Sequence, residues 1–182
     1  MRVIVAVTAA SGAIYARQCL ELLLKSSSVE RIALIYSRDA EAVAEAERVV
    51  MPVDSRIEVF GNDDMWASPA SGSARWDSMI IVPATMGTIG RLASGLSHSL
   101  IERSADVMLK ERRRLVIVAR EAPYSLIHLR NMTTLTEAGA IVIPASPSFY
   151  FHPSTIEELC LTISQRAVEL LGVELSHREW GE

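Results

Sequence analysis

Residues Arg2–Thr8 read RVIVAVT, Ala9–Gly12 read AASG, and Ala13–Lys25 read AIYARQCLELLLK. A short run dense in Val and Ile, without polar alternation, predicts a strand covered on both faces, as in a parallel sheet. A turn of small residues carries it straight into a helical pattern. The same unit recurs along the chain. Arg31–Tyr36 (RIALIY), Ser78–Val82 (SMIIV), Leu115–Ala119 (LVIVA) and Ala140–Pro144 (AIVIP) predict four more covered strands. Arg56–Phe60 (RIEVF) alternates and predicts a sixth, more exposed strand. Helical patterns over Asp39–Val50, Met86–Ser94, Ser97–Arg112, Ser125–Ala138 and Ser154–Leu171 fill the intervals. Ser154 is the expected N-cap of the last, with Glu157 closing a capping box. Strand–helix alternation from end to end predicts one α/β domain over residues 1–182. Its doubly wound, mostly parallel sheet lies between two helical layers, with right-handed crossovers.

Composition narrows the function. At 182 residues, 49% hydrophobic and 22% charged, the chain is too apolar to be disordered. A net charge of -4 supplies no basic face for nucleic acid. Cys19 and Cys160 form no CxxC, so neither a disulfide framework nor a zinc knuckle is expected, and a reducing, cytoplasmic setting is. Val3–Val7 is short for a signal-peptide core, and no stretch reaches the length of a membrane span. His98, His128, His152 and His177 lack metal-ligand spacing, so no metal is expected. The serines form no GxSxG elbow.

Open parallel sheets bind ligands at the carboxyl ends of their strands. Five segments there are predicted to share one rim: Thr8–Gly12, Ser37-Arg38, Pro83–Thr88, Arg120–Pro123 and Ala145–Pro153. The small residues of TAASG would let a phosphate approach the amino end of the first helix, where free N–H groups and the dipole favour an anion. Pro-Ala-Thr-Met-Gly-Thr offers two hydroxyls and a glycine ahead of another helix. Arg120, directly after a buried strand, is placed to grip an anion, or to pair with Glu121 in solvent. Arg103 and Lys110 share a helix face, and Asp106 is spaced to pair with Lys110. Arg166 falls at the margin of an apolar stripe in the last helix, so it must snorkel outward or meet an anion. Gly61–Trp76 is the longest irregular segment, and loops of that length are often functional.

Several blocks, in order, resemble the UbiX/Pad1 flavin prenyltransferase family. TAASGAIYA is similar to its first turn, and Ser37 with Glu47 to its second-strand serine and the glutamate that follows. PASGS (Pro69–Ser73) resembles its substrate loop. LIERSADVMLKERRRLVIVAREAP (Leu100–Pro123) is the most specific match. SFY (Ser148–Tyr150), His152-Pro153, Arg166 and Trp180-Gly181-Glu182 complete the order.

The resemblance implies a flavodoxin-like or Rossmann-like, three-layer homo-oligomer, with trimers assembled into a dodecamer and FMN at subunit interfaces. The implied activity joins a dimethylallyl unit from dimethylallyl phosphate to N5 and C6 of reduced FMN, without metal. The implied consumer of the prenylated FMN is a UbiD-type decarboxylase. It assigns FMN to Ala9, Ala10, Ser11, Ser37, Thr85, Gly87, Thr88 and Arg120. The allylic phosphate falls to Lys110, Arg120, Tyr150 and Arg166, with Ser71 and Gly72 nearby. Ser11, Glu47 and Glu121 are its catalytic candidates. Trp180 would shield a developing cation, on a tail of about residues 172–182 packed on a neighbouring subunit.

Three short segments depart from the family pattern. Ala9 replaces a glycine, which would strain a backbone needing positive φ. Thr85-Met86 replaces a Cys-Ser type tip, and Met65-Trp66 is transposed relative to some relatives. The same fold also serves an FMN-dependent decarboxylase of cysteine-like substrates, and a non-catalytic flavin carrier. The first is expected to carry a histidine before residue 98, and the second has no use for an allylic phosphate site.

Overall fold

The computed structural model describes residues 1–175. Six strands, β1 (Arg2–Val7), β2 (Arg31–Tyr36), β3 (Ile57–Phe60), β4 (Ser78–Ala84), β5 (Arg114–Ala119) and β6 (Ile141–Pro144), form one sheet. Every pairing is parallel, in the order β3-β2-β1-β4-β5-β6. That is the Rossmann order of doubly wound sheets, with its direction of winding reversed between β1 and β4. Among the described residues five α-helices lie between strands, α1 (Ala13–Lys25), α2 (Ala40–Ala46), α3 (Met86–Ala93), α4 (Leu100–Lys110) and α5 (Leu126–Glu137), and α6 (Ile156–Leu170) follows the last strand.

Residue alternation along the central strands divides the interior in two. Val3, Val5, Val7, Ile80, Val82, Val116 and Val118 face a core closed by α1 and α6. Ile4, Ala6, Met79, Ile81, Leu115 and Ile117 face a second core closed by α3, α4 and Trp76. Because both faces are covered, these strands carry unbroken apolar runs. The edge strands differ. β3 is half exposed, as its alternation predicts. β6 is also only half-buried, although its sequence reads like the central strands. Being at the edge, it has fewer helices over it. Val173 is buried in the chain's own first core and Leu175 packs against it, so the tail begins on its own subunit. Its remaining residues, Trp180 included, lie outside the described part.

Helix ends shift for local reasons. The N-cap of α6 is Thr155, whose side chain accepts from the Glu158 N–H at 3.0 Å, one register later than Ser154 and Glu157. Both registers satisfy the capping pattern in STIEE, and Ser154 instead donates its own N–H and hydroxyl to Glu158. α4 starts after Ser99, which caps Glu102. α2 stops at Ala46, because Arg48 takes a left-handed φ of 57°. The β-branched Val49 and Val50, with Pro52 behind Met51, disfavour another helical turn. Among the described residues, no helix is long and apolar enough to cross a membrane.

Ile80 is fully buried in the middle of β4. Ile80→Ala is expected to lower unfolding stability by about 3 kcal/mol in urea titrations. Val53→Ala, at a fully exposed position, should stay within about 0.5 kcal/mol of the parent.

Candidate functional site

The strand tips converge at the carboxyl edge of β1, β4 and β5. Thr8 is buried, and its hydroxyl donates to the Pro83 carbonyl at 2.7 Å while accepting from the Thr85 N–H at 2.9 Å. That bond ties the loop after β1 to the loop after β4, across the point where the winding reverses. From β5, Arg120 Nε reaches back to the Ser11 carbonyl at 3.2 Å. Three neighbouring tips are thereby fixed to one another.

Gly12 supplies the turn into α1 with φ 105°, a left-handed value that suits glycine. The strain foreseen at Ala9 does not arise, because the left-handed position is Gly12. The phosphate expected at the amino end of α1 is also displaced. Glu47, the C-cap of α2, places its carboxylate there instead: it accepts from Gly12 N–H at 2.9 and 3.0 Å and from Ala13 N–H at 2.7 Å. An anion does sit on this helix dipole, and it belongs to the protein. Burial pushes the Glu47 carboxyl up. Hydrogen bonds from the Ser11 side chain and the Gly12 and Ala13 amides, with the charge of Arg120, outweigh that and hold it below its ordinary value.

The tip after β4 is built differently. Thr85 caps α3, its Oγ1 accepting from the Thr88 N–H at 3.2 Å and lying 3.0 Å from Thr88 Oγ1. Met86 and Gly87 N–H, in the first turn of α3, have no partner within the helix. Gly87 is exposed, so the backbone can be approached closely. This tip fits a phosphate better than the first one does. Ser37, at the end of β2, borders an open cleft of about 550 Å³ with Tyr36, Arg38, Asn62 and His98. Glu121, at the end of β5, accepts from the Ala122 N–H at 3.0 Å.

Most of the remaining predicted residues lie elsewhere in the subunit. Lys110 ends α4, four residues before β5 begins, whereas Arg120 directly follows that strand. A six-residue strand spans about 20 Å, so the two cations occupy opposite edges of the sheet. Lys110 pairs with Glu111, while Asp106 pairs with Arg103 at 2.7 Å, not with Lys110. The Gly72 carbonyl accepts from Arg113 at 2.8 Å, which puts the Ser71-Gly72 loop at the Lys110 edge. Tyr150 is exposed in the loop after β6, at the carboxyl edge. Arg166 is exposed on α6, 3.4 Å from Glu169, on the face opposite α4. One chain therefore gathers Ser11, Glu47, Thr85, Gly87, Thr88, Arg120 and Glu121 at the carboxyl edge, where Tyr150 also lies beyond β6, but not Lys110 and Arg166. Sequence reasoning missed Arg91 and Glu102, which form a salt bridge behind Thr88.

Comparison with known proteins gives the family. A model described as Flavoprotein matches residues 1–167. Flavin prenyltransferase UbiX of Thermoplasma acidophilum is 41% identical over 181 residues, covering 95% of this chain and 96% of that one. The chain belongs to the flavin prenyltransferase family. Within it, a solved structure of AnUbiX (PadA1) in complex with FMN and dimethylallyl pyrophosphate superposes with a TM-score of 0.89 at 41% identity, covering 98% of each chain. A dodecameric FMN-dependent Ubix-like decarboxylase from Escherichia coli O157:H7 gives a TM-score of 0.91 at 34% identity over the whole of both chains.

The lowered Glu47 carboxyl sets a pH dependence. A depressed native value makes its contribution to stability complete above the unfolded-state value, about 4.3, and lost as pH falls through the native one. Glu47→Gln is therefore expected to destabilise at pH 7, and the gap from the parent should shrink in urea titrations near pH 3.5. A gap that widens on acidification would contradict the capping role.

Proposed function

We propose that this chain is a flavin prenyltransferase that moves a dimethylallyl unit from dimethylallyl phosphate to N5 and C6 of reduced FMN. The observation that carries this is the junction of Ser11, Glu47 and Arg120 at the carboxyl edge, beside the open first turn of α3. The family relationship and the bound molecules of the AnUbiX structure support the same reading. Reduced FMN, when bound, supplies the electron-rich nitrogen and ring carbon to which the five-carbon unit is joined. Ala9, Ala10, Ser11, Ser37 and Arg120 would line the flavin, with Thr85, Gly87 and Thr88 taking its phosphate.

In the reaction the allylic C–O bond breaks, and the phosphate leaves with the electron pair. Lys110, Arg120 and Arg166 neutralise it and Tyr150 donates a hydrogen bond, so side-chain charge does the work of a metal. Glu121 hands the leaving phosphate a proton. Ser11, hydrogen-bonded to Glu47, directs protons near the flavin N5. Since Lys110 lies about a strand's length from Arg120, a complete site takes residues from more than one subunit. Exposed Phe149 and Phe151, near Tyr150, help keep water from the allylic carbon in the assembled site. Ser71 and Gly72 would reach a neighbour's site together with Lys110, and Trp180 would shield the developing cation. The assembly is a homo-oligomer, with trimers built into a dodecamer, working in the cytoplasm. Its product would be consumed by a UbiD-type decarboxylase.

Anaerobic incubation with reduced FMN and dimethylallyl phosphate is expected to yield flavin heavier by one five-carbon unit, read by mass spectrometry. A yellow protein whose flavin is unchanged by the donor would overturn the assignment in favour of a carrier. Glu121→Gln should slow transfer about a hundredfold. Lys110→Ala and Arg120→Ala chains, each inactive alone, should regain activity when denatured and refolded together. Continued inactivity of the mixture would show that one chain supplies both.

A further inference from the structure

Arg91 lies on α3, four residues after Gly87 and three after Thr88. Helix side chains lean toward the amino end, so Arg91 folds back over the first turn. Its Nη2 donates to Thr88 Oγ1 at 3.2 Å. Its Nη1 lies 3.4 Å from the point a Cβ on Gly87 would occupy. The missing side chain at Gly87 thus leaves the guanidinium lying close to the backbone of the first turn of α3. Behind it, Nε donates to Glu102 Oε1, and the other Glu102 oxygen accepts from the His98 N–H at 2.8 Å. Glu102 is only 3% exposed, so this anchor is held by packing as well as charge.

One threonine hydroxyl accepts from this arginine and a second lies beside it. Thr88 Oγ1 accepts from Arg91 and lies 3.0 Å from Thr85 Oγ1, a contact in which either hydroxyl can donate. Thr85 Oγ1 accepts from the Thr88 N–H as well. A hydroxyl has two acceptor lone pairs and one hydrogen. Whichever hydroxyl donates to the other, the acceptor keeps its own hydrogen for a further partner. That hydrogen, the Met86 and Gly87 amides and Arg91 Nη1 are donors gathered at the first turn of α3. Such a set suits a phosphate monoester, which offers only acceptors.

We infer that Arg91, anchored by Glu102, holds the phosphate of FMN at the amino end of α3 and makes the protein select FMN over riboflavin. The inference rests on the flavin site proposed above. Glu102 is a positioning residue in this arrangement, acting through Arg91.

The test is titration of flavin-free protein with FMN and with riboflavin, followed by flavin fluorescence. Arg91→Gln is expected to weaken FMN about tenfold and riboflavin less than about twofold. Arg91→Lys, which keeps the charge but loses the planar fork, should recover part of the FMN affinity. The double variant Arg91→Gln with Glu102→Gln leaves no unpaired buried carboxylate, and should show the same selective loss if Arg91→Gln alone folds poorly. Equal weakening of both flavins, or no change in either, would overturn the role of Arg91. Parent protein that binds neither flavin would overturn the flavin site itself, a distinguishable failure.

Discussion

The Thr8 hydroxyl occupies the seam of this molecule. It donates to Pro83 and accepts from Thr85, where β1 and β4 stop pairing and their loops begin to part. In a doubly wound sheet the loops on either side of the reversal must diverge to opposite helical layers, and this opens a crevice. A crevice binds well only if its walls keep a fixed separation. A buried hydroxyl, linked to both walls, sets that spacing with no mobile side chain involved. Arg120 extends the same fixation to β5 through the Ser11 carbonyl.

Charge is arranged along this rim with economy. Each of the two helix starts beside the crevice could take an anion. Glu47 fills one, so α1 is satisfied by the protein and its loop is held rigid. α3 keeps its first turn accessible, with Thr85 as cap and a guanidinium lying alongside. In the proposed flavin site a phosphate would therefore avoid Glu47 and gain at α3. Ser11, hydrogen-bonded to that same carboxylate, would then face the ring rather than the phosphate.

Much of this was legible in the chain. Unbroken Val and Ile runs gave away the parallel sheet, and α1 lies just where its small-residue turn and periodicity put it. The tips named from strand ends do share an edge. What was illegible was non-local. β6 reads like a central strand, and only its place at the edge leaves it half exposed. Glu47 looks like helix interior; its capping of α1 depends on a left-handed Arg48 and on the packing of a distant turn. Lys110 and Arg120 are ten residues apart in sequence, yet a whole strand separates them. Arg91 and Glu102 lie on different helices, and nothing periodic links them.

α5 buries only Leu135 deeply, while Leu126, Ile127 and Leu129 face outward. Tyr124, Phe149 and Ile156, in segments flanking β6 and α5, are exposed as well. A solitary polypeptide would thus resemble a folding intermediate to the cell's quality-control machinery. Newly made copies must find companions before chaperones or proteases find them, so the abundance of this protein should follow how quickly its copies meet as much as how fast they are translated.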